Sequence, residues 1–457
     1  MTVPDDRYAG LLDQARALPD RILVRSVHPA EAGGPALQPH PDKAISQRAT
    51  VLAAVADGTS RLSNVADCAD VRCNLRALGK LGIQVRVTGP GELMVTGTAA
   101  SGIRITDRTL DAGNSATTSR LLLAVLAGST SDCVVTGNRL LRSRPMTEVL
   151  DPLRELGAEI EELGEPGRLP LRVRGARLRG GEVNVTVDSA QPVSALQFAA
   201  LNAAGPVRIR RRTMARDHTE RLLRWTGVPV AQSELDLLVT PRRPRAFDLT
   251  VPGDPSGAAL LAALHLASAQ PGQELTLTRV GLNPLRTGFL RILAAMGATV
   301  TETVTSQDGP EPAGDIRIVL PGPLRGTVVE GRQLVQSAID ELPLVAALAA
   351  VAKGRTVIRD AAELKGKDTD RIASTVELLA AFGIAARATP DGLMVEPGTP
   401  VAPEQLRLPA DHRVIFAAFV LALLAGGGCE LSGVRAAATS HPGAIDDLAR
   451  FARLEIR

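Results

Sequence analysis

Leu78-Gly79-Lys80-Leu81-Gly82-Ile83 is a short stretch with a long reach, because versions of it recur along the chain. The copies are Leu153-Arg154-Glu155-Leu156-Gly157-Ala158, Leu222-Leu223-Arg224-Trp225-Thr226-Gly227-Val228, Leu293-Ala294-Ala295-Met296-Gly297-Ala298 and Leu379-Ala380-Ala381-Phe382-Gly383-Ile384. A degenerate sixth lies at Leu448-Ala449-Arg450-Phe451-Ala452-Arg453. Each reads as a helix end, with glycine suited to a left-handed C-cap. The segment after each glycine, such as Ile83-Gln84-Val85-Arg86-Val87, alternates like a half-buried strand. The copies are spaced by roughly 65 to 85 residues, too long for a solenoid unit and right for a small α+β module.

Six modules predict an α/β chain of α+β repeats, grouped as two pseudo-threefold domains with helices inside and sheets outside. A turn-rich junction at Pro252-Gly253-Asp254-Pro255-Ser256-Gly257 marks where the second group begins, and Pro39-His40-Pro41-Asp42 marks another crossing. The expected domains are residues 42–253 and residues 1–41 with 254–457. A cleft between two such domains is a common place for a substrate.

The 457-residue chain is 45% hydrophobic and 22% charged, as globular proteins are. Its net charge of +3 leaves no footprint for nucleic acid. Cys68, Cys73, Cys133 and Cys429 are too few for a disulfide framework and lack zinc spacing. No secretory signal opens the sequence, and Val414 to Gly428 reads as a buried helix, so a cytoplasmic location is expected. Of 52 basic residues only five are lysines: Lys43, Lys80, Lys353, Lys365 and Lys367. A lysine retained in so arginine-rich a chain suits a place that needs a titratable donor.

Polar and charged residues gather at the starts of apolar helices. Asp111 to Arg120 offers small and hydroxyl residues at a helix start, fit either to cap that helix or to hold an anion. Lys43 to Arg48 precedes a helical run over Ala49 to Ala56, and Arg142 to Met146 precedes a helix around Leu150. Ser189-Ala190-Gln191 opens a helix. Ser337 to Glu341, Lys367 to Arg371 and Asp411 to Arg413 precede three more. Lys43, Arg144, Arg371 and Arg413 sit where the helix dipole disfavours cations, which costs stability unless an anion lies among them. Their charge suits a phosphate with a carboxylate. Asp340 and Asp368 are the acid/base candidates. No metal-ligand spacing, P-loop or Ser–His–Asp order stands out.

With these residues in view the chain resembles the enolpyruvyl transferase family, most closely its 5-enolpyruvylshikimate-3-phosphate synthase branch, from about Lys43 to Pro442. Lys43 to Arg48 is similar to Lys-Ser-Ile-Ser-x-Arg. Asp111 to Arg120 is similar to the Gly-Asn-Ala-Gly-Thr loop, Arg144-Pro145-Met146 to Arg-Pro-Met/Ile, and Lys367 to Arg371 to Lys-Glu-Ser-Asp-Arg. Arg216 to Glu220, Pro252-Gly253-Asp254, Asn283 to Gly288, Asp340-Glu341 and Asp411 to Arg413 also match.

The resemblance implies the two-domain enolpyruvyl transferase fold, an inside-out α/β barrel, with the active site in the interdomain cleft. It implies a transferase of the shikimate pathway and aromatic amino acid biosynthesis. The enolpyruvyl group of phosphoenolpyruvate would pass to an acceptor hydroxyl through a tetrahedral adduct, releasing phosphate, with shikimate 3-phosphate the best acceptor. No cofactor, metal, nucleic acid or membrane is implied, and a monomer is expected. Carried over residue by residue, Lys43, Asn114, Ala116, Thr117, Arg144, Gln191, Arg371 and Arg413 would hold phosphoenolpyruvate. Lys43, Asp340, Asp368 and Lys367 would be catalytic. Arg48, Ser189, Ala190, Gln191, His218, Asp340 and Lys367 would border the acceptor.

Departures from the family pattern lie mostly on the acceptor side. Ala44 and Ala215 stand where hydroxyl residues usually help hold shikimate 3-phosphate, Asp368 replaces a Glu, and Thr439-Ser440 lacks the Lys many members carry before it. A specialised paralogue acting on another acceptor such as UMP is therefore the second reading, and a non-catalytic ligand-binding relic a third. Ala116 replaces the loop Gly, a change associated in the family with reduced glyphosate sensitivity. Arg139 stands about where the UDP-N-acetylglucosamine branch has a loop Cys.

Overall fold

The computed structural model describes residues 19–26, 36–98, 102–103 and 105–457. The chain divides into two compact units. Unit 1 holds Pro41–Val251 together with Asp308–Glu311. Unit 2 holds the described residues up to His40, then Pro252–Gln307 and Pro312–Arg457. Each unit has its own hydrophobic core. The excursion of Asp308–Glu311 into unit 1 is a feature that composition and turn signals do not announce.

Helices alternate between two kinds. Leaving aside the short helices Arg139–Arg142 and Arg332–Ser337, in unit 1 they are α1 (Lys43–Val55), α2 (Ala69–Lys80), α3 (Ala116–Ala127), α4 (Thr147–Glu155), α5 (Ala190–Ala200) and α6 (His218–Trp225). In unit 2 they are α7 (Pro255–Ser268), α8 (Gly288–Ala295), α9 (Leu342–Ala349), α10 (Arg371–Ala381), α11 (His412–Leu424) and α12 (Ala444–Ala449). The odd-numbered helices are mostly apolar and buried along most of their length. A helix with no polar face has to lie inside the fold. The even-numbered helices keep an exposed side.

Between α-helices run six separate sheets, five of four strands and one of three. In one of them Thr109–Asp111 lies parallel to Asp132–Thr136, which pairs antiparallel with Leu171–Arg174, itself antiparallel to Glu159–Glu162. The other four-stranded sheets repeat that order. In the three-stranded sheet the parallel strand shrinks to two isolated bridges, Leu37 with Leu277 and Gly253 with Val280. Alternating burial along Leu171–Arg174 and Asp132–Thr136 puts one face on the core and one outward. The six sheets are distinct from one another, and helices inside with sheets outside describes each unit.

The repeated glycine is what turns each helix into its strand. Gly82, Gly157, Gly227, Gly297 and Gly383 have φ between 74° and 99°. The residue after each donates its N–H to the leucine carbonyl five positions back, as in Ile83 to Leu78 and Ala298 to Leu293. That is the Schellman closure, which satisfies carbonyls left over at the helix end and needs a residue without a Cβ. The sixth copy lacks the glycine and its helix is short, yet the strand Ala452–Ile456 still comes after it.

Candidate active site

The candidate site residues collect where helices begin, and at five of those beginnings a side chain caps the helix. Asp42 accepts from Ile45 N–H at 2.8 Å, so α1 starts at Lys43 and carries all of Lys43 to Arg48 within its first turns. The sequence pattern places that segment ahead of the helix and so starts the helix at Ala49, after its true beginning at Lys43. Ser115 caps α3 through Thr118 N–H, and Ser189 caps α5 through Gln191 N–H. In unit 2, Asp370 accepts from Ile372 and Ala373 N–H and Asp411 from Arg413 N–H. Capping and site-building are therefore the same act: the cap sets which residue enters the first turn after it.

In unit 1 the starts of α1, α3 and α5 are tied together. Gln47 of α1 donates to Ser115 Oγ at 2.8 Å and Thr118 Oγ1 at 2.9 Å. Gln191 donates to Thr117 Oγ1 at 3.2 Å while its oxygen accepts from Arg120 at 2.5 Å. Arg120 also donates to the Pro145 carbonyl and to Glu148, so it links α3 to the Arg144-Pro145-Met146 segment. Ala116 is the first residue of α3 and is buried, Asn114 precedes the cap, and Asn114 Oδ1 is buried without a hydrogen-bond partner. Just before them Gly113 has φ +58°, and a Cβ there would meet Cys73 Sγ at 2.6 Å, so the loop backbone lies directly on α2.

Lys43, at the head of α1, makes a 3.0 Å ion pair with Asp70 of α2. Arg48 is buried and donates to Ser194 Oγ and Thr219 Oγ1, which joins α1 to α5 and α6. His218 is 1% exposed and pairs through Nδ1 with Glu311 at 2.7 Å. Arg144 is half-buried, and Ala190 opens α5.

Unit 2 supplies a second cluster. Arg371, at the head of α10, lies 2.8 Å from Asp411, 3.0 Å from Asp340 and 3.6 Å from Asp368. Burial works against its charge, but these three carboxylates outweigh it and raise the pKa above the ordinary arginine value. Burial likewise pushes Asp411 up, and Arg371 with His412 more than offsets that, holding its carboxyl below the usual range. Arg413 is buried 3.8 Å from Asp340 and 3.9 Å from Glu341, and its Nε has no hydrogen-bond partner. Asp368 also lies 3.3 Å from His412 Nδ1. Lys367 is half-buried and ion-paired with Glu363 one turn back.

Several expectations change in detail. The helix dipole implies that the cations at helix starts need a bound anion, yet Lys43, Arg371 and Arg413 already face protein carboxylates. Their cost against the helix dipole is offset internally. Asp254, Arg286 and Glu341, within family-like motifs, form a scaffold: Arg286 donates to Asp254 and Ser256, and Ser256 donates to Glu341. Gly288, two residues after Arg286, lies against the segment before Asp340, since a Cβ there would strike Ser337 Oγ at 2.1 Å. Residues that sequence reasoning does not single out are Gln47, Asp70, Arg120, Glu148 and Glu311. Only Arg120 carries a local signal, a charge set directly before Leu121-Leu122-Leu123.

Residues 35–448 match the EPSP synthase family, 3-phosphoshikimate 1-carboxyvinyltransferase. The chain belongs to this family. It is 38% identical over 408 residues to the 3-phosphoshikimate 1-carboxyvinyltransferase of Herpetosiphon aurantiacus, covering 88% of this chain and 93% of that one. The Chloroflexus aurantiacus protein of that name is 40% identical over 410 residues, 88% and 92% of the two chains. Among solved structures, an EPSP synthase from Acinetobacter baumannii superposes with a TM-score of 0.84 at 30% identity, covering 95% of this chain and 99% of that one. The enolpyruvyl transferase NikO from Streptomyces tendae has a TM-score of 0.75 at 18% identity over 96% and 99% of the two chains, a likeness of fold. The enzyme is thus an enolpyruvyl transferase. No helix among its described residues is long and apolar enough to cross a membrane.

Proposed function

We propose that the enzyme moves the enolpyruvyl group of phosphoenolpyruvate to a hydroxyl of shikimate 3-phosphate and releases phosphate. The observation that carries this reading is identity of about 40% over most of the chain with proteins named for that acceptor. Lys43, Asn114, Ala116, Thr117, Arg144, Gln191, Arg371 and Arg413 hold phosphoenolpyruvate. Arg48, Ser189, Ala190, Gln191, His218, Asp340 and Lys367 border the acceptor.

The chemistry asks for two opposed proton movements. The acceptor oxygen bonds to C2 of phosphoenolpyruvate and loses its proton while C3 gains one, giving the tetrahedral adduct. The adduct then loses a C3 proton as the C–O bond to phosphate breaks. Asp340 and Asp368 with Lys43 and Lys367 handle these protons. Arg371 and Arg413, held by carboxylates beforehand, stabilise developing charge without solvent having to reorganise. Lys367 must exchange Glu363 for substrate to take part.

Ala44 and Ala215 favour one second reading, transfer to another acceptor such as UMP. Each missing hydroxyl removes a hydrogen bond of about 0.5–1.5 kcal/mol, more toward a charged partner. Addition of shikimate 3-phosphate should trigger phosphate release from phosphoenolpyruvate. Silence with that acceptor at high enzyme concentration, and release with UMP, would replace the first reading by the second.

A further inference from the structure

Glu311 has no part in the roles assigned so far. It lies in the four-residue segment Asp308–Glu311, which belongs to unit 1 although the strands on either side, Thr299–Ser306 and Ala313–Val319, belong to unit 2. At that position its side chain is 2% exposed and its Oε1 is 2.7 Å from Nδ1 of His218, whose side chain is 1% exposed. Arg221, one turn further along α6, lies 3.9 Å from the other carboxylate oxygen and 2.9 Å from Asp217. The other charged groups on α6 and the elements packed against it include Arg216 before it, Glu220 and Arg224 on it, Arg211 paired with Glu220, and Lys43 and Arg48 from α1.

A carboxylate has acceptor oxygens only, so His218 must offer it Nδ1–H. Nε2 is buried and has no hydrogen-bond partner. In the neutral ring that nitrogen is an acceptor, and leaving it unpaired costs about 1–3 kcal/mol. Something that donates a hydrogen bond, such as a hydroxyl, is what the free nitrogen fits.

We propose that Glu311 is a positioning residue that fixes His218 in its Nδ1–H tautomer, so that Nε2 accepts a hydrogen bond from a hydroxyl of the acceptor substrate. This rests on the acceptor-bordering role proposed above for His218. A hydrogen-bonded partner on one ring nitrogen setting what the other can do is a general property of histidine. It supplies acceptor recognition on a surface where Ala44 and Ala215 provide no hydroxyls.

The test uses the full-length enzyme labelled with ¹⁵N-histidine, with His218→Gln identifying the signals of one ring among six. The ring of His218 should show a protonated Nδ1 and an unprotonated Nε2, and shikimate 3-phosphate should move the Nε2 resonance while phosphoenolpyruvate alone does not. Glu311→Ala should lose the fixed tautomer and raise KM for shikimate 3-phosphate about five- to tenfold, with KM for phosphoenolpyruvate unchanged. Glu311→Gln retains an acceptor oxygen and should restore both tautomer and KM. A protonated Nε2 in the wild-type enzyme would overturn the proposal. So would an Nε2 resonance indifferent to an acceptor that turns over, or equal rises in both KM values. If wild-type enzyme releases no phosphate with shikimate 3-phosphate, it is the acceptor reading that fails, and the tautomer still decides the role of Glu311.

Discussion

Arg371 Nη1 donates to Asp340 Oδ1 across 3.0 Å, joining a cation assigned to phosphoenolpyruvate with a carboxylate assigned to proton transfer. The two are 31 residues apart and meet because α9 and α10 begin side by side. Asp340→Asn keeps the side chain's shape and leaves Asp411 and Asp368 beside Arg371. It should cut turnover by about 10²–10⁴-fold while phosphoenolpyruvate still binds. Phosphate release and calorimetric titration measured together check this; loss of binding in step with turnover would make Asp340 a structural partner only.

Asp411 carries two duties, capping α11 and pairing with Arg371. Asparagine caps nearly as well, so Asp411→Asn isolates the charge. Its cost should be about 1–3 kcal/mol, because Asp340 and Asp368 remain. Since the folded-state pKa of Asp411 lies below the ordinary value, its stabilisation is present above the unfolded pKa of about 4 and is lost as pH falls through the folded pKa. Acid unfolding of the variant should therefore show a flatter limb below about pH 4 than wild type.

Arg120 is held by Glu148, Gln191 and the Pro145 carbonyl. Burial pushes its guanidinium below the ordinary value, and Glu148 acts against that. Glu148→Ala would leave a buried cation without that carboxylate and should destabilise by about 3–5 kcal/mol, read by urea unfolding. A change under about 1 kcal/mol would mean the charge reaches solvent instead.

Ala116 fills the place where the family loop has glycine. The enzyme should be poorly inhibited by glyphosate, and Ala116→Gly should increase inhibition, at a cost of about 1 kcal/mol or less for glycine in the helix. Inhibition curves for both forms decide it; wild-type inhibition as strong as that of Ala116→Gly would remove any role for the methyl.

Burial pushes the thiol of Cys68 up to about 12, and those of Cys73, Cys133 and Cys429 to about 11. At pH 8 about one Cys68 thiol in ten thousand is then thiolate, and the thiolate is the reactive form. Native enzyme should scarcely react with a disulfide reagent at that pH, whereas unfolding should release four equivalents.

Six modules and the glycine turns of five of them were legible in the sequence, because periodicity and left-handed caps are local properties. The capped and charged helix starts were legible too, since caps and charges mark them one at a time. What the chain could not reveal by itself was partnership. Lys43 meets Asp70, Gln47 meets Ser115, Arg120 meets Glu148 and His218 meets Glu311 over separations of 27 to 93 residues. Those pairings depend on how whole modules pack, and no residue near Glu311 in sequence hints that its four-residue segment joins the other unit. Sequence thus determined which helix starts carry charge, and tertiary structure decided which carboxylate neutralises each one, because ion pairs form between elements that only packing brings within reach.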